Sequence, residues 1–186
     1  MNSKAQIIVD FWFNKTPPEK KFKRDDSFDN EIREKFLKDY NLAKSNEYDD
    51  WLNTSKECLA LIILLDQFSR NLFRDSKKVF EQDVKARLIV NKTINNNFLD
   101  QMNVDERFFM LLPLIHSEEI SDHENAYKLM DQHLINHPDL DKIKKFWIDH
   151  TNTIKRFNRY PHRNKVLGRK STDEEIEFLK NPNSSW

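Results

Sequence analysis

The scarcity of glycine most limits the folds open to this sequence, because its 186 residues contain a single glycine. Phosphate-binding loops and dinucleotide-binding fingerprints need several closely spaced glycines, so the sequence excludes both. β-Hairpins need residues that accept positive φ angles, and glycine does so most readily. We therefore expect an all-α fold.

A strongly apolar run marks the centre of that fold. Residues 58–65 are eight consecutive apolar residues, and they lead directly into Asp66 and Gln67, followed by Arg70 and Asn71. A helix that is apolar on all sides lies in the core, so a helix over about 54–73 is predicted to be the most buried element. Burying its polar side chains is costly unless they are hydrogen-bonded, so their partners must lie elsewhere in the chain.

The spacing of apolar residues predicts seven or eight helices joined by short connections. Ser76, Ser121 and Thr172 are predicted N-terminal caps, the last two with an acidic residue three positions on. Pro113 is expected to kink or break the fifth helix, and Pro161 to end the seventh. Stacked antiparallel helical hairpins in a single domain over residues 1–186 are therefore expected. The predicted helices cover about 3–13, 28–42, 54–73, 76–95, 104 onward, 121–135, 139–160 and 172–179.

Composition narrows the class of protein. Lys and Arg (31) balance Asp and Glu (31), which argues against a surface devoted to nucleic acid or to an anionic membrane. No apolar run approaches the ~18–20 residues of a membrane span, and the N-terminal apolar segment is too short and interrupted for a signal peptide. The one cysteine, Cys58, lies in the apolar run and is expected to be a buried hydrophobe. A cytoplasmic protein without a membrane partner is predicted.

Three polar clusters could carry chemistry. In the first, Asp66 and Arg70 are one helical turn apart and can pair. The second, residues 116–119, follows the apolar run that ends at Ile115. The third, residues 156–164, holds three arginines and a histidine, which suit a carboxylate or phosphate. Alternatively, these arginines neutralise buried carboxylates in a purely structural network.

The histidines give weaker signals. His150 occupies an apolar position of its helix and is expected to be a hydrogen-bonded core residue. The spacing of the remaining candidate ligands matches no metal-binding motif, so neither a metal nor a cofactor is expected. Those candidates are His116, Glu118, His123 and His162.

Long segments of the chain resemble the bacterial domain of unknown function 924 family. They are LALIILLDQFSRNLFRDSKKVFEQDVKAR at 59–87, FFMLLPLIHSEEISDHE at 108–124 and RFNRYPHRNKVLGRKSTDEEIEFL at 156–179, with shorter matches at 9–13 and 28–32. The resemblance implies an all-α fold of the tetratricopeptide-like class and a single cytoplasmic domain. The family brings no established activity.

The resemblance also identifies motif residues. Ser69 stands where the family has a proline inside the helix, so the helix is expected to be locally straighter here. His123, Asn158 and Tyr160 depart from the glutamine, glycine and phenylalanine of the family pattern. Ten polar residues match it: Asp66, Gln67, Arg70, Asn71, His116, Glu118, Arg159, His162, Arg163 and Asn164.

Because all ten belong to the motif, we expect them to form one shared pocket, for which three functions compete. In the first, a small anionic ligand binds to a clamp of Arg70, Arg159 and Arg163. The position of Arg163 after Pro161 predicts freedom to meet that ligand, whereas Arg70 is expected to be the structural partner of Asp66.

In the second hypothesis, the protein is an enzyme. His116 or His162 is the general acid or base, and Glu118 or Asp66 orients the imidazole. In the third, the protein is a helical scaffold for a peptide or protein partner, and the polar clusters only hold its helices together. RNA binding through the basic strip at 155–170 is a fourth and weaker alternative.

Overall fold

The computed structural model describes residues 2–182 and 184–185, and every regular element in this part of the chain is helical. The all-α prediction is confirmed, and each of the eight predicted helices is present. Two helices of four residues, α2 and α10, were not predicted. The α-helices are α1 (Ser3–Asp10), α2 (Pro18–Lys21), α3 (Asp26–Lys44), α4 (Ser55–Ile62), α5 (Ser69–Leu72), α6 (Asp83–Asn95), α7 (Val104–Ile115), α8 (Ile120–His133), α9 (Leu140–Phe157), α10 (Asn164–Leu167) and α11 (Asp173–Phe178).

Other helical turns extend or connect these helices. A π-helical turn, Phe11–Lys15, continues α1, and a second, Ile63–Phe68, joins α4 to α5. Short 3-10 helices lie at Asp49–Asn53, Lys77–Phe80, Phe98–Gln101 and Pro161–Arg163.

The central helix consists of α4, the π-helical turn and α5. Its position in the core is confirmed, because every residue from 57 to 69 is buried. The expectation of a locally straighter helix at Ser69 stays a prediction, and the π-helical turn ends at Phe68, directly before this residue. The backbone N–H of Ser69 faces the carbonyl oxygen of Gln67, outside the regular i to i−4 ladder. A position whose N–H stands outside that ladder accepts proline without the usual loss of a hydrogen bond.

The other helices pack around this centre. α1 packs against α4, α3 against α5, α6 against both α4 and α7, and α8 between α7 and α9. Aromatic rings fill the joints: the Trp12 ring lies 5.6 Å from Phe68 and 5.5 Å from Phe109, and Phe36 lies 4.9 Å from Phe68. From α6 to α9 each helix packs on the next one, as in stacked hairpins. The tetratricopeptide likeness and the single domain over 1–186 stay predictions.

Several predicted helix ends are wrong by a few residues. α9 ends at Phe157 rather than near Pro161, because Asn158 adopts a left-handed conformation with φ 55°. α8 begins at Ile120 with Glu119 as its N-cap, so the capping box predicted at Ser121 is absent among these described residues. α7 runs through Pro113 to Ile115, so this proline does not break the helix.

Two predicted caps are present. The Thr172 side chain accepts the N–H of Glu175, whose side chain accepts the N–H of Thr172, as a capping box requires. Ser76 caps the 3-10 helix Lys77–Phe80 through the N–H of Lys78, and α6 begins only at Asp83. The turn at residues 81–82 between these two helices places Asp83 at the first position of α6.

Cys58 is fully buried, as predicted, and burial raises the pKa of its thiol. Within residues 2–182 and 184–185, no helix is both long and apolar enough to cross a bilayer.

Candidate functional site

A cavity of about 430 Å³ opens where segments far apart in the sequence converge. Its wall comes from the end of α2 and the following loop, from α5, from the C-terminal end of α7, from α9 and from the segment after α9. Six cationic side chains and one carboxylate line it: Lys21, Lys23, Arg24, Arg70, Arg74, Arg163 and Asp75. Gln67, Asn71, His116, His150, His162 and Phe22 are also in the wall.

Asp66 lies directly behind this wall with none of its side chain exposed. Gln67 Nε2 donates to Oδ2 at 2.6 Å, and Oδ1 lies 2.8 Å from His116 Nδ1 and 3.2 Å from Arg70 Nη2. Burial alone would raise the pKa of Asp66, but the Arg70 guanidinium and the His116 imidazole hold it at about 2. The predicted Asp66–Arg70 pair is therefore present, and His116 joins it across 50 positions of sequence.

His116 follows the last residue of α7 and turns its ring into the cavity wall, with 12% of the side chain exposed. Burial lowers the pKa of His116 and the nearby Arg70 charge lowers it further, so the imidazole is neutral at pH 7. With Asp66 ionised, Nδ1 carries the proton and donates to Oδ1. Nε2 is then the acceptor nitrogen, which is the arrangement of an imidazole held to accept a proton.

Asp83, which sequence reasoning did not select, joins two arginines of the wall. Its Oδ2 accepts a hydrogen bond from Arg163 Nη1 at 3.0 Å, and its Oδ1 lies 3.6 Å from Arg70 Nη1. Asp83 begins α6, where the helix dipole favours a negative charge. The sequence signal for Asp83 was an acidic residue at helical spacing from two apolar ones, Val79 four positions before it and Ala86 three positions after it. Both apolar residues are buried in the structure.

The expectation that Arg163 is free to meet a ligand is wrong. The residue is only 6% exposed. Besides Asp83, its guanidinium donates from Nη2 to the carbonyl oxygen of His116 at 2.8 Å, and it stacks between the rings of Phe80 (4.3 Å) and Tyr160 (4.7 Å). The break at Pro161 directs this side chain into the structure, and Arg70, with 23% of its side chain exposed, is the more accessible of the two.

A second carboxylate, Asp29 of α3, holds the other end of α5. Asn71 Nδ2 donates to Asp29 Oδ1 at 2.8 Å, and Arg74 donates to both of its oxygens, from Nη2 at 2.9 Å. Asp29 is 42 and 45 positions from these partners, so no local pattern could have paired them. This pairing fixes the amide of Asn71 and the guanidinium of Arg74 in the wall.

The loop from Lys21 to Arg24 forms the rim of the cavity, and all four of its residues line it. Arg24 pairs with Asp75 at 3.1 Å. Neither Lys21 nor Lys23 has a carboxylate within 4.0 Å among the described residues. The Lys21 ammonium instead lies 5.3–5.6 Å from the ring centres of Phe13, Phe109 and Trp12, and burial lowers its pKa. Sequence reasoning missed this loop, although three cations and a phenylalanine in four residues were a visible signal.

His162 and His150 also line the cavity, beside its cationic groups. Burial lowers the pKa of His162 to about 3, assisted by the charge of Arg163, and lowers that of His150 to about 2. His150 Nδ1 lies 2.8 Å from the carbonyl oxygen of Phe146, as expected for a hydrogen-bonded core histidine. Both rings are therefore uncharged at neutral pH.

Four of the ten motif residues do not line the cavity, so the structure does not bring all ten into its wall: Asp66 lies directly behind it, and Arg159, Asn164 and Glu118 lie elsewhere. Arg159 forms two hydrogen bonds to Glu175, at 2.6 and 2.7 Å, and one to the carbonyl oxygen of Lys170. Asn164 Nδ2 donates to Glu175 Oε2 at 3.2 Å. An anion clamp that contains Arg159 does not fit this cavity, because Arg159 does not line it and its guanidinium bonds to Glu175 of α11.

Glu118 is the fourth motif residue outside the wall. Its carboxylate accepts two hydrogen bonds from Arg169, at 2.7 and 2.9 Å, and one from the N–H of Tyr160 at 2.8 Å. Burial opposes ionisation, but these bonds lower the pKa of Glu118. Glu118 therefore orients the backbone at Tyr160. The imidazole of His116 is oriented by Asp66 instead.

Within the described part of the chain, no group of three or more His, Cys, Asp or Glu is arranged to hold a metal ion. His123, one of the candidate ligands, is instead bonded through its two nitrogens to Thr151 Oγ1 and to the carbonyl oxygen of Ser117, both at 2.9 Å.

Comparisons with known proteins place the chain among bacterial proteins of unknown function. A family model described as "Bacterial protein of unknown function (DUF924)" matches residues 8–183. The structure is similar to one titled "Structure of Protein of Unknown Function ATU0120 from Agrobacterium tumefaciens", with a TM-score of 0.85 and 35% identity, covering 95% of this chain and 96% of that one. No curated protein matched the sequence significantly.

Proposed function

The chain belongs to the bacterial DUF924 family, and from its geometry we propose that it binds a small anionic ligand in the cavity. One observation carries the proposal: the cationic groups face the cavity, while the carboxylate partners of Arg70, Arg74 and Arg163 lie behind them. Asp66, Asp29 and Asp83 have only 0%, 11% and 14% of their side chains exposed. A cavity lined in this way presents positive charge to a ligand even though the whole chain is neutral.

The contacts available to an anion differ around the wall. Arg70 and Arg74 already bond to carboxylates, but guanidinium groups have five donors and can bind a second anion. Lys21 and Lys23 have no carboxylate partner within 4.0 Å in the described structure, so an incoming anion would supply their first one. These two lysines are therefore the contacts whose loss should weaken binding with the least effect on folding.

The volume of the cavity favours a small molecule over a peptide. Its volume, about 430 Å³, lies in the range typical of pockets for metabolites. A tetratricopeptide-like scaffold for a protein partner would instead use a long groove along several helices. The cavity therefore supports a metabolite-binding protein, and a cytoplasmic location without a nucleic-acid or membrane partner is part of the same proposal.

Calorimetric titration with inorganic pyrophosphate at low ionic strength tests the proposal. We expect binding to wild-type protein, and a loss of about tenfold or more in affinity when Lys21→Gln and Lys23→Gln are combined. The matched control combines Lys128→Gln and Lys155→Gln, two exposed lysines outside the cavity. Equal losses in the two double variants, or no binding by wild-type protein, would overturn the proposal. Native mass spectrometry of protein purified from cells would then give the mass of a natural ligand.

The Asp66–His116 pair favours a second candidate, an enzyme in which His116 is the general base. Nε2 would accept a proton from water attacking the bound ligand and return it to the leaving oxygen, with Asp66 as the positioning residue. Release of 4-nitrophenol from 4-nitrophenyl phosphate, with and without His116→Gln, tests it. Turnover that the variant loses while it still binds the ester supports the enzyme, and binding without turnover by wild-type protein counts against it.

A further inference from the structure

Phe22 combines high exposure with a place in the cavity wall. Its exposed fraction is 61%, close to the highest value for any large apolar residue in the described part of the chain. The other exposed large apolar residues lie away from the cavity. Scattered exposed apolar side chains are common on protein surfaces, but here an aromatic one lies between two lysines at the rim of a cationic cavity.

The core fixes the position of this ring from one side. The Phe22 ring stacks on Phe109 with centroids 5.9 Å apart and an angle of 11° between the planes. Phe108 contacts the same ring at 6.5 Å in a tilted arrangement. Phe109 is only 4% exposed, so the support beneath Phe22 is rigid. Since stacking covers one face and most of the residue is exposed, the opposite face is available to another flat ring.

Two lysines flank Phe22 in the sequence and share the cavity wall with it. Lys21, whose ammonium is 5.4 Å from the centre of the Phe109 ring, precedes Phe22, and Lys23 follows it. Both lysines and the Phe22 ring line the same cavity. A molecule with a negative group and a flat ring could therefore contact the lysines and the ring at once.

We propose that the ligand is an anion attached to a flat aromatic ring, of the nucleoside monophosphate or aryl phosphate class, whose ring stacks on Phe22. This inference rests on the anion-binding function proposed above and adds the chemistry of the rest of the ligand. Stacking of a base on an aromatic side chain gives about 5- to 150-fold in affinity, so the preference should be measurable.

The test compares ligands that share a phosphate but differ in the ring. Adenosine 5′-monophosphate is paired with ribose 5-phosphate, and phenyl phosphate with methyl phosphate, and each is titrated into the full chain by calorimetry. We expect wild-type protein to bind an aromatic member at least about fivefold more tightly than its partner. Phe22→Ala and Phe22→Leu should remove this preference without changing the affinity for the ring-free ligand, and Phe22→Tyr should keep it.

Leu88→Ala is the matched control, because Leu88 is 62% exposed and lies outside the cavity. It should leave both the affinity and the preference unchanged. Equal affinity of wild-type protein for both members of each pair would overturn the inference and leave the anion-binding function intact. An unchanged preference in Phe22→Ala would do the same. Failure of all four ligands and of pyrophosphate to bind would overturn both proposals together.

Discussion

Two polar networks of this protein use the same chemistry but differ in what they contact. The cavity-wall network comprises Asp66, Arg70, Asp83, His116 and Arg163, and three of its members line the cavity. The C-terminal network comprises Glu118, Arg159, Asn164, Arg169 and Glu175, and none of these lines it. Both consist of arginine–carboxylate pairs, and both contain residues of the family motif.

The two networks also differ in the span of sequence that they connect. Arg163 pairs with Asp83 across 80 positions, whereas Arg159 pairs with Glu175 across only 16. The first network joins α5, α6 and α7 around the cavity, and the second holds the last helices against the segment after α9. Residues that share one motif therefore lie in two places here, and only the first set contributes to the wall of the cavity.

The largest contrast should appear when one arginine of each network is removed. We expect Arg163→Ala to lower the free energy of unfolding by about 3–5 kcal/mol, because it leaves Asp83 without its closest partner in a buried site. Arg159→Ala should cost clearly less, because Glu175 keeps its bonds to Asn164 and to the N–H of Thr172. Urea unfolding followed by circular dichroism measures both.

Lys165→Ala, an exposed neighbour in sequence, should leave the stability unchanged. Equal losses for the two arginine variants would remove the distinction between the networks. If Arg163→Ala unfolded at the same urea concentration as wild-type protein, the buried pairing described above would be wrong.

Acid should next separate the cavity wall from the C-terminal network, because two histidines of the wall and Glu175 of that network titrate in different ranges. The pKa of His162 is lowered from 6.5 to about 3, so the folded protein keeps this histidine neutral while the unfolded chain protonates it. Stability is then complete above pH 6.5 and falls as the pH drops towards 3, by about 1.4 kcal/mol per pH unit for each such histidine. His150 acts in the same direction.

The C-terminal network should respond only at lower pH. Hydrogen bonds from Arg159 lower the pKa of Glu175 from 4.5 to about 2. Its contribution is therefore complete above pH 4.5 and is lost as the pH falls to 2. Melting temperatures measured from pH 7 to 2.5 should have a shallower upper slope in His162→Gln, where His150 still titrates, and a shallower lower slope in Glu175→Gln, where Asp66 still titrates. The same slope change in both variants would contradict this separation.

The smallest effect is expected at Asn158, which ends α9 with φ 55° next to the C-terminal network. Glycine adopts this left-handed conformation without strain, so Asn158→Gly should raise the free energy of unfolding by about 0.5 kcal/mol. Binding of pyrophosphate should not change, since Asn158 does not line the cavity. Thermal unfolding and calorimetry measure the two quantities, and a loss of stability would show that the asparagine side chain contributes more than its backbone.

Local sequence patterns predicted the helices well because local interactions determine them. The apolar run at 58–65 and the capping box at Thr172 each act within a few residues, and both appear where they were expected. The errors in the predicted helix ends occur where two neighbouring residues could each end or begin the helix. Asn158 ends α9 three residues before Pro161, and α8 begins before Ser121.

The candidate site was predicted only in part, because its partners are far apart in sequence. The pairing of Asp66 with Arg70 follows from helical spacing, but that of Asp83 with Arg163 needs the packed structure. Arg163 looked mobile because a helix ends before it, and the tertiary structure buries it instead. The three cations of the loop at 21–24 are visible in the sequence, but the loop carries no periodic pattern, so the cavity that they line follows only from the placement of α2.

The π-helical turn Ile63–Phe68 places the two halves of the central helix out of step by one residue. A π-helical turn spreads about the same rotation over one more residue than an α-helix, so deleting one residue here would restore a regular helix and leave Arg70 and Asn71 in the cavity wall. Deleting one residue from the regular part of α4 would instead turn everything after it by about 100° and move both side chains out of the wall. The central helix should therefore accept a change in length at this turn more readily than in the regular helix before it.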